Sequence, residues 1–378
     1  MPGWIGILIF VVAVLVIIFF HELGHFLTAK WFKIKVEEFF IGFGPRVWSF
    51  RRGETEYGIK AIPAGGYVRI AGMNPFEESA PEEMPRTFGA KPAWQRAIVI
   101  LAGSAIHFIL AFLLVFSYFT VLGQPTRFGA EVSAVEPRLE GSVSPAAAAG
   151  LEPGDRFLEV DGRTVQDYDE FVDYTRSRPG REITLVVERD GRRVVLRATP
   201  VLSEIEGEEV GRLGVILARG EILERERLGP LAAGGRAGAL IGEVTVASLQ
   251  GIGRVFGPEG LGRIVGQIFE GRERQLDDPA GLVGAARLSG QAAAAGAFDE
   301  LLFLFVAFNI FVGLLNVLPL PPLDGGHLAV IVFEKVTGRR VDPRKLVPLT
   351  TAVVAFLLVF FVALLYLDIL RPLPNPFR

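Results

Sequence analysis

The chain has 378 residues, of which 50% are hydrophobic and 21% charged, with a mean hydropathy of +0.40. A soluble domain carries about a quarter charged residues, so this composition points to a membrane protein. The absence of cysteine excludes a thiol nucleophile, a disulfide framework and a thiolate metal site, leaving His, Asp or Glu to hold any metal. A net charge of −3 and a pI near 6.0 offer no basic surface for nucleic acid.

Four runs are long and apolar enough to cross a bilayer, at about 20 residues per crossing. The first is Trp4–Phe20. A cleaved signal peptide would need a basic start, a shorter core and a small-residue cleavage site. Here no Lys or Arg precedes Lys30, and the core runs into His21-Glu22-Leu23-Gly24-His25, so a retained span is expected. The others are Ala97–Leu122, Leu301–Leu318 and Leu349–Leu367. Leu231–Phe256 carries Arg236, Glu243 and Arg254; charges are costly in lipid, so it reads as an amphipathic surface helix.

Between the first two spans, Val36–Ile41, Arg46–Phe50, Tyr57–Ile62 and Tyr67–Ile70 are short aromatic and β-branched runs. With a turn at Arg52-Gly53-Glu54 they predict β-hairpins. Pro75–Pro92 is acidic and proline-rich, an irregular surface loop. After span two, Val132–Val135 reads as a strand, and Ser144 caps a short helix that starts at Pro145. Phe157–Val160 is a strand, Asp161-Gly162 a tight turn and Asp169–Arg176 a helix. Ile183–Glu188 pairs with Arg193–Ala198, and Leu213–Leu217 is a last strand. The expected fold class is an α-helical polytopic membrane protein with four transmembrane helices and an inserted α+β domain. The expected divisions are spans at 1–32, 94–122, 299–325 and 349–370, a β-hairpin region at 33–93 and the α+β domain at 123–222. Residues 223–298 form an amphipathic helical segment, 326–348 a loop and 371–378 a tail.

Basic residues give the orientation. Lys335, Arg339, Arg340, Arg344 and Lys345 cluster between spans three and four, and 33–93 begins and ends in basic residues. Both segments are expected in the cytoplasm, with the termini and residues 123–298 outside.

Two motifs carry chemistry. On a helix His21 and His25 lie one turn apart on one face, so both imidazoles can bind one metal. Glu22 beside them can take a proton from an attacking water. The second motif is Asn316-Val317-Leu318-Pro319-Leu320-Pro321-Pro322-Leu323-Asp324-Gly325, where prolines break span three ahead of a carboxylate. Broken helices survive in membranes where they line a cavity. Trp4 to His21 covers about 26 Å and Leu301 to Pro319 about 27 Å, so both motifs fall at one edge of a roughly 30 Å core. Asp324 can then supply a third ligand. Two His, a carboxylate and a water form a hydrolytic zinc arrangement.

These motifs, with the β-hairpin region and the inserted domain, resemble the site-2 proteases, in particular the bacterial zinc proteases of regulated intramembrane proteolysis that cut anti-sigma factors. The resemblance covers nearly the whole chain. It implies Zn2+ held by His21, His25 and Asp324, Glu22 as general base, and Asn316 on the substrate backbone. It implies a membrane-associated β-region on the cytoplasmic side, in which Gly65, Gly66 and Tyr67 bind substrate. A strand edge there can hold an unwound segment by β-addition. The inserted domain is expected to be a single extracytoplasmic PDZ-like domain, on Ser144–Leu151, Pro153-Gly154-Asp155 and Asp161-Gly162. Implied partners are the lipid bilayer and single-pass membrane proteins, anti-sigma-factor-like or remnant signal peptides. The implied location is the bacterial cytoplasmic (inner) membrane, with the active site near the cytoplasmic face.

The chain departs from the family at Gly103-Ser104-Ala105-Ile106-His107, where relatives have Gly-Pro-x-x-Asn. His107 either keeps the hydrogen-bonding role of that Asn or binds a local carbonyl. It lies about 15 Å into its span, deeper than the expected zinc level, and is not expected to be a ligand. His327 is expected near the ligands or at the surface, and Asn309 in an interhelix hydrogen bond or on substrate. No carboxylate-binding loop stands out in the PDZ-like segment, which favours a filter against bulky substrates over a recruiter. The competing functions are an inactive scaffold binding partner tails, against which the intact Glu22 and Asp324 argue, and a metal transporter, which needs ligands near the midplane.

Overall fold

A computed structural model describes residues 2–74, 80–205 and 207–377. The chain divides into two compact units, one of Met1–Val115 with Gly235–Arg378 and one of Phe116–Gly234. Helix α1 (Gly3–Trp31) is apolar on every side until its last turns, the signature of a helix surrounded by lipid or core. Strands β1 (Val36–Arg52) and β2 (Thr55–Ile70) follow, turning at the expected Gly53. They form one irregular ladder rather than separate hairpins. Phe39, Phe40 and Ile41 each face partners on two sides: Val68, Tyr67 and Gly66 on one, Tyr57, Gly58 and Ile59 on the other. Positive-φ glycines at 42, 44 and 65 let the strands bend back to make both pairings. Among the described residues, 66–70 pair only with β1, so they form an edge. Of the expected loop Pro75–Pro92, residues 75–79 lie outside the described residues; the rest holds short 3-10 turns at Met84–Arg86 and Phe88–Ala90.

Helix α2 (Ala93–Ser117) continues through a π turn to Leu122, so the apolar helix starts a turn earlier than the expected Ala97. The second unit follows: β3 (Gln124–Val135), β4 (Arg138–Leu139), β5 (Ser142–Val143), α3 (Pro145–Ala149), β6 (Arg156–Val160), β7 (Arg163–Thr164) and α4 (Tyr168–Arg176). Then come β8 (Ile183–Arg189), β9 (Arg192–Ala198), β10 (Val201–Ile205), β11 (Glu208–Arg212) and β12 (Val215–Glu226). The sheet order is β12-β3-β6-β8-β9. Ser144 Oγ accepts the Ala147 N–H at 3.1 Å, the expected cap. Phe157 stacks on Phe171 at 4.0 Å between the sheet and α4, above buried Val132 and Leu185. Buried Asp155 accepts from Arg189 Nε and Nη2, both at 2.7 Å. The final strand runs to Glu226, so the boundary expected at 222 moves, and the β10–β11 hairpin was not legible in its polar sequence.

The chain then forms α5 (Pro230–Phe256), α6 (Pro258–Val265), α7 (Leu282–Ala295), α8 (Phe298–Val317), α9 (Asp324–Thr337) and α10 (Val347–Leu370). The loop expected at 326–348 is thus largely the helix α9. Among the described residues, helices α1, α2, α8 and α10 are the four long and apolar enough to cross a membrane, by length and composition. Helices α1 and α7 approach closely: a Cβ on Gly6 would lie 2.3 Å from the Ser289 carbonyl oxygen. One core cluster joins the site's supports. Ala29 of α1, Ile70 of β2, Val99 and Ile100 of α2 and Ile331 of α9 are buried together. Arg96 donates to Glu334 at 3.0 Å, tying α2 to α9.

Candidate metal centre

The site begins with a close approach of α1 and α2. A Cβ on Gly103 would lie 2.3 Å from His25 Nε2 and 2.8 Å from His21 Cε1. A Cβ on Gly24 would lie 2.6 Å from the Ala102 oxygen. Only glycine at both positions lets the histidines rest against α2. The other half comes from the break after α8. The chain turns at Leu318–Leu323 and restarts as α9 with Asp324 in its first turn, where the helix dipole favours a carboxylate. Gly325 permits the turn, since a Cβ there would lie 2.1 Å from the carbonyl oxygens of Val317 and Leu318.

Three atoms able to ligate a metal converge. His21 Nε2 and His25 Nε2 are 3.2 Å apart, and Asp324 Oδ2 lies 3.3 Å from the first and 3.2 Å from the second. A tetrahedral site with bonds of about 2.0–2.1 Å has edges of about 3.3–3.4 Å, so this triangle fits a zinc ion. Proton placement agrees. His25 Nδ1 is 2.8 Å from the Val99 carbonyl oxygen, which can only accept, so Nδ1 carries the proton and Nε2 is bare. Asp324 Oδ2 is buried and receives no hydrogen bond among the described residues. Bare acceptors facing one another call for a cation at their centre.

Glu22 borders this triangle and the β edge. A Cβ on Gly66 would lie 3.1 Å from Glu22 Cγ, and the Val68 backbone amide also reaches its carboxylate. Gly65 packs against the Phe43 ring instead. The Tyr67 phenol donates to Glu38, and its ring stacks on Phe40 and faces Lys60 Nζ at 4.7 Å. Burial first, and then that hydrogen bond, raises the phenol above its ordinary pKa. Of the three expected substrate contacts in this strand, Gly66 is the one beside Glu22, and the Tyr67 side chain is committed to β1.

Asn316 is half-buried in the last turn of α8, and its amide makes no hydrogen bond among the described residues. His327 lies in the first turn of α9 without a hydrogen bond to His21, His25 or Asp324. His107, expected as a hydrogen-bonding residue rather than a ligand, has its Nε2 3.1 Å from His21 Nδ1. Its Nδ1 is 2.7 Å from Asn309 Oδ1, and Asn309 is the expected interhelix bond. Sequence reasoning missed Val99, whose carbonyl no motif marks. It also missed a groove in the second unit of about 180 Å³, lined by Phe171, Val172 and Thr175 of α4 and by Leu213, Gly214 and Val215. A turn at Leu213-Gly214 borders this groove. Gly214 has φ +77°, and the Leu213 and Gly214 N–H groups make no backbone hydrogen bond among the described residues. The signal was Leu213-Gly214-Val215 opening a strand.

Comparison with known proteins bears on the whole chain. It is 33% identical to the zinc metalloprotease Rip1 of Mycobacterium tuberculosis over 407 residues, covering 99% of this chain and 98% of that one. It is 31% identical to Rip1 of Mycolicibacterium smegmatis, covering 98% of each. A solved PDZ domain of an SdrC-like protein from Listeria monocytogenes covers 25% of this chain and 92% of its own, with 23% identity and a TM-score of 0.21. The profile of peptidase family M50 matches residues 9–360. The chain therefore belongs to peptidase family M50, the site-2 protease family, and is a multi-pass membrane zinc metalloprotease.

Proposed function

We propose that the chain hydrolyses a peptide bond within the membrane-spanning segment of a single-pass protein, close to the cytoplasmic end of that segment. The observation that carries this is the convergence of His21, His25 and Asp324 beside Glu22 and an unpaired strand edge. Zinc, when bound, supplies a Lewis acid that activates water and polarises the scissile carbonyl. Glu22 takes the proton of the attacking water and returns it to the leaving nitrogen. Residues 66–70 offer backbone groups to a substrate that has left its helix, which hides its peptide bonds. Asn316 has a free amide to hold the substrate backbone. The cytoplasmic side is assigned from the basic residues after α9, and anti-sigma-factor-like proteins are the substrate class suggested by the resemblance.

The second unit acts as a gate rather than as part of the catalyst, since all three ligands and Glu22 lie in the first. The groove beside Leu213 and Gly214 favours recruitment over filtering. Its Leu213 and Gly214 N–H groups, without a backbone partner among the described residues, suit a carboxylate, and its mixed lining, Phe171 and Val172 with Arg176 and Arg212, suits a last side chain and its charge.

The test is a purified Glu22→Gln variant in proteoliposomes with a single-span substrate. Zinc content should stay while cleavage falls by about 100-fold or more. Product ends mapped by mass spectrometry should lie in the cytoplasmic part of the span. Unchanged turnover, or cuts at the outer face, would overturn the assignment.

A further inference from the structure

The two histidines of the centre are held from behind in different ways. His25 leans on a backbone carbonyl, but His21 leans on a line of side chains running from α1 through α2 to α8. His21 Nδ1 meets His107 Nε2 at 3.1 Å, His107 Nδ1 meets Asn309 Oδ1 at 2.7 Å, and Asn309 Nδ2 donates to the His107 carbonyl oxygen at 2.6 Å. His107 and Asn309 are each only 1% exposed, so water does not compete for these bonds.

The direction of every proton in this line follows from its far end. A carbonyl oxygen can only accept, so the Asn309 NH2 is fixed toward His107 O. Its Oδ1 therefore faces His107 Nδ1, which must carry a proton. Neutral His107 then has a bare Nε2, which can only accept, so His21 Nδ1 must donate. That leaves His21 Nε2 bare and aimed at Asp324 and His25. Gly313 seats His107 against α8, since a Cβ there would lie 2.8 Å from the His107 Cβ.

We infer that His107 and Asn309 are positioning residues that lock the tautomer and ring orientation of His21, making it competent to bind zinc. This rests on the zinc-protease reading of the site. Outer partners of a ligating histidine commonly contribute about 10–100-fold to metal affinity. Here that share is assigned to a histidine and an amide from two other helices, so loss of Asn309, which touches no ligand, should be felt at the metal.

The experiment measures zinc affinity of the full chain in detergent by competition with a chromophoric chelator. The d–d spectrum of the cobalt(II)-substituted protein serves as a second readout. His107→Ala and Asn309→Leu should each weaken zinc binding by about 10–100-fold and alter the cobalt spectrum. His107→Gln keeps an acceptor toward His21 and a donor toward Asn309, and should bind zinc within about 3-fold of the parent, well inside the loss expected of the first pair. If the first pair bind like the parent, the inference is wrong. Should they fail to fold, ¹⁵N spectra of the histidine-labelled parent decide, because the chain has four histidines to assign. A His107 protonated on Nδ1 supports the lock, and one protonated on Nε2 overturns it. A parent that binds no zinc, or binds it equally after His21→Ala, would instead sink the metalloprotease reading.

Discussion

Gly103→Ala should separate the metal from the fold. The added Cβ would lie 2.3 Å from His25 Nε2, 2.5 Å from His25 Cε1 and 2.8 Å from His21 Cε1. Uncrowded contacts between such atoms begin near 3.4–3.5 Å, so about 1 Å must be found. The His25 ring cannot simply swing away, because its Nδ1 is held at 2.8 Å by the Val99 oxygen, one turn earlier on the same α2. Either that bond breaks or α1 moves off α2. Metal–ligand distances tolerate only about 0.2 Å, so the displacement is roughly five times what the centre can absorb. Overpacking costs about 1–3 kcal/mol, and Gly→Ala inside a helix returns about 1 kcal/mol, so net stability should change by less than about 2 kcal/mol. Zinc affinity should fall by more than the roughly 100-fold that an outer partner can cost, and cleavage should vanish with it. Chelator competition, metal analysis and a circular dichroism melt measure the three quantities. Gly238→Ala on α5 is the control, since nothing lies within 4 Å of a Cβ there. Parent-like zinc affinity and cleavage in Gly103→Ala would refute the claim that this helix contact sets the site.

Asp324→Ala should lower zinc content and activity together, and full occupancy by metal analysis would place the third ligand elsewhere. Asp155→Ala should destabilise the second unit by about 3 kcal/mol, because a fully buried carboxylate leaves Arg189 with only Glu152 and the Gly150 carbonyl. Hydrogen exchange across β6 and β8 in the full chain would read it, and unchanged protection would contradict it. Deleting Ala130–Leu217 should leave zinc binding and cleavage of a short substrate largely intact. A folded, zinc-loaded deletion that cannot cut such a substrate would show the second unit to be part of the catalyst.

What the sequence made legible is what periodicity and side-chain chemistry encode. The four apolar helices come from unbroken hydropathy, and the His21–His25 pair from helical spacing. Asp324 came from a depth estimate that put two distant motifs at one level. Ser144 and Gly53 were readable because caps and turns use short-range rules. The β-region was legible only in outline. Its double pairing of Phe39–Ile41 depends on glycine kinks and long-range register, which no local pattern states. Helix α9 was hidden because its charges suggested a loop, although the exposed Phe333 and Val336 leave it an apolar face outside the protein core. Counting residues along one helix put His107 deeper than the zinc level but could not name His21 as its partner. Distance along α2 says nothing about where α1 crosses it, and that crossing is fixed by Gly24 and Gly103.

The ligands are separated by about three hundred residues, yet their registry does not rest on the ligands. His21 and His25 are set by glycine contacts between α1 and α2 and by the Val99 carbonyl. Asp324 is set by α9, which Ile331 and Leu328 pack into the cluster containing Val99 and Ile100 and which Glu334 ties to Arg96. Helix α2 is therefore the common reference for both halves. It offers one histidine a carbonyl, the other His107, and α9 a salt bridge and an apolar seat. The three acceptor atoms, 3.2–3.3 Å apart, thus take their spacing from contacts that lead back to α2. Strand β2 reaches Glu22 separately, where Gly66 packs against its Cγ and the Val68 amide meets its carboxylate. The neighbours of the histidines and those of Glu22 thus belong to different elements packed on α1, so either set can change without dismantling the other.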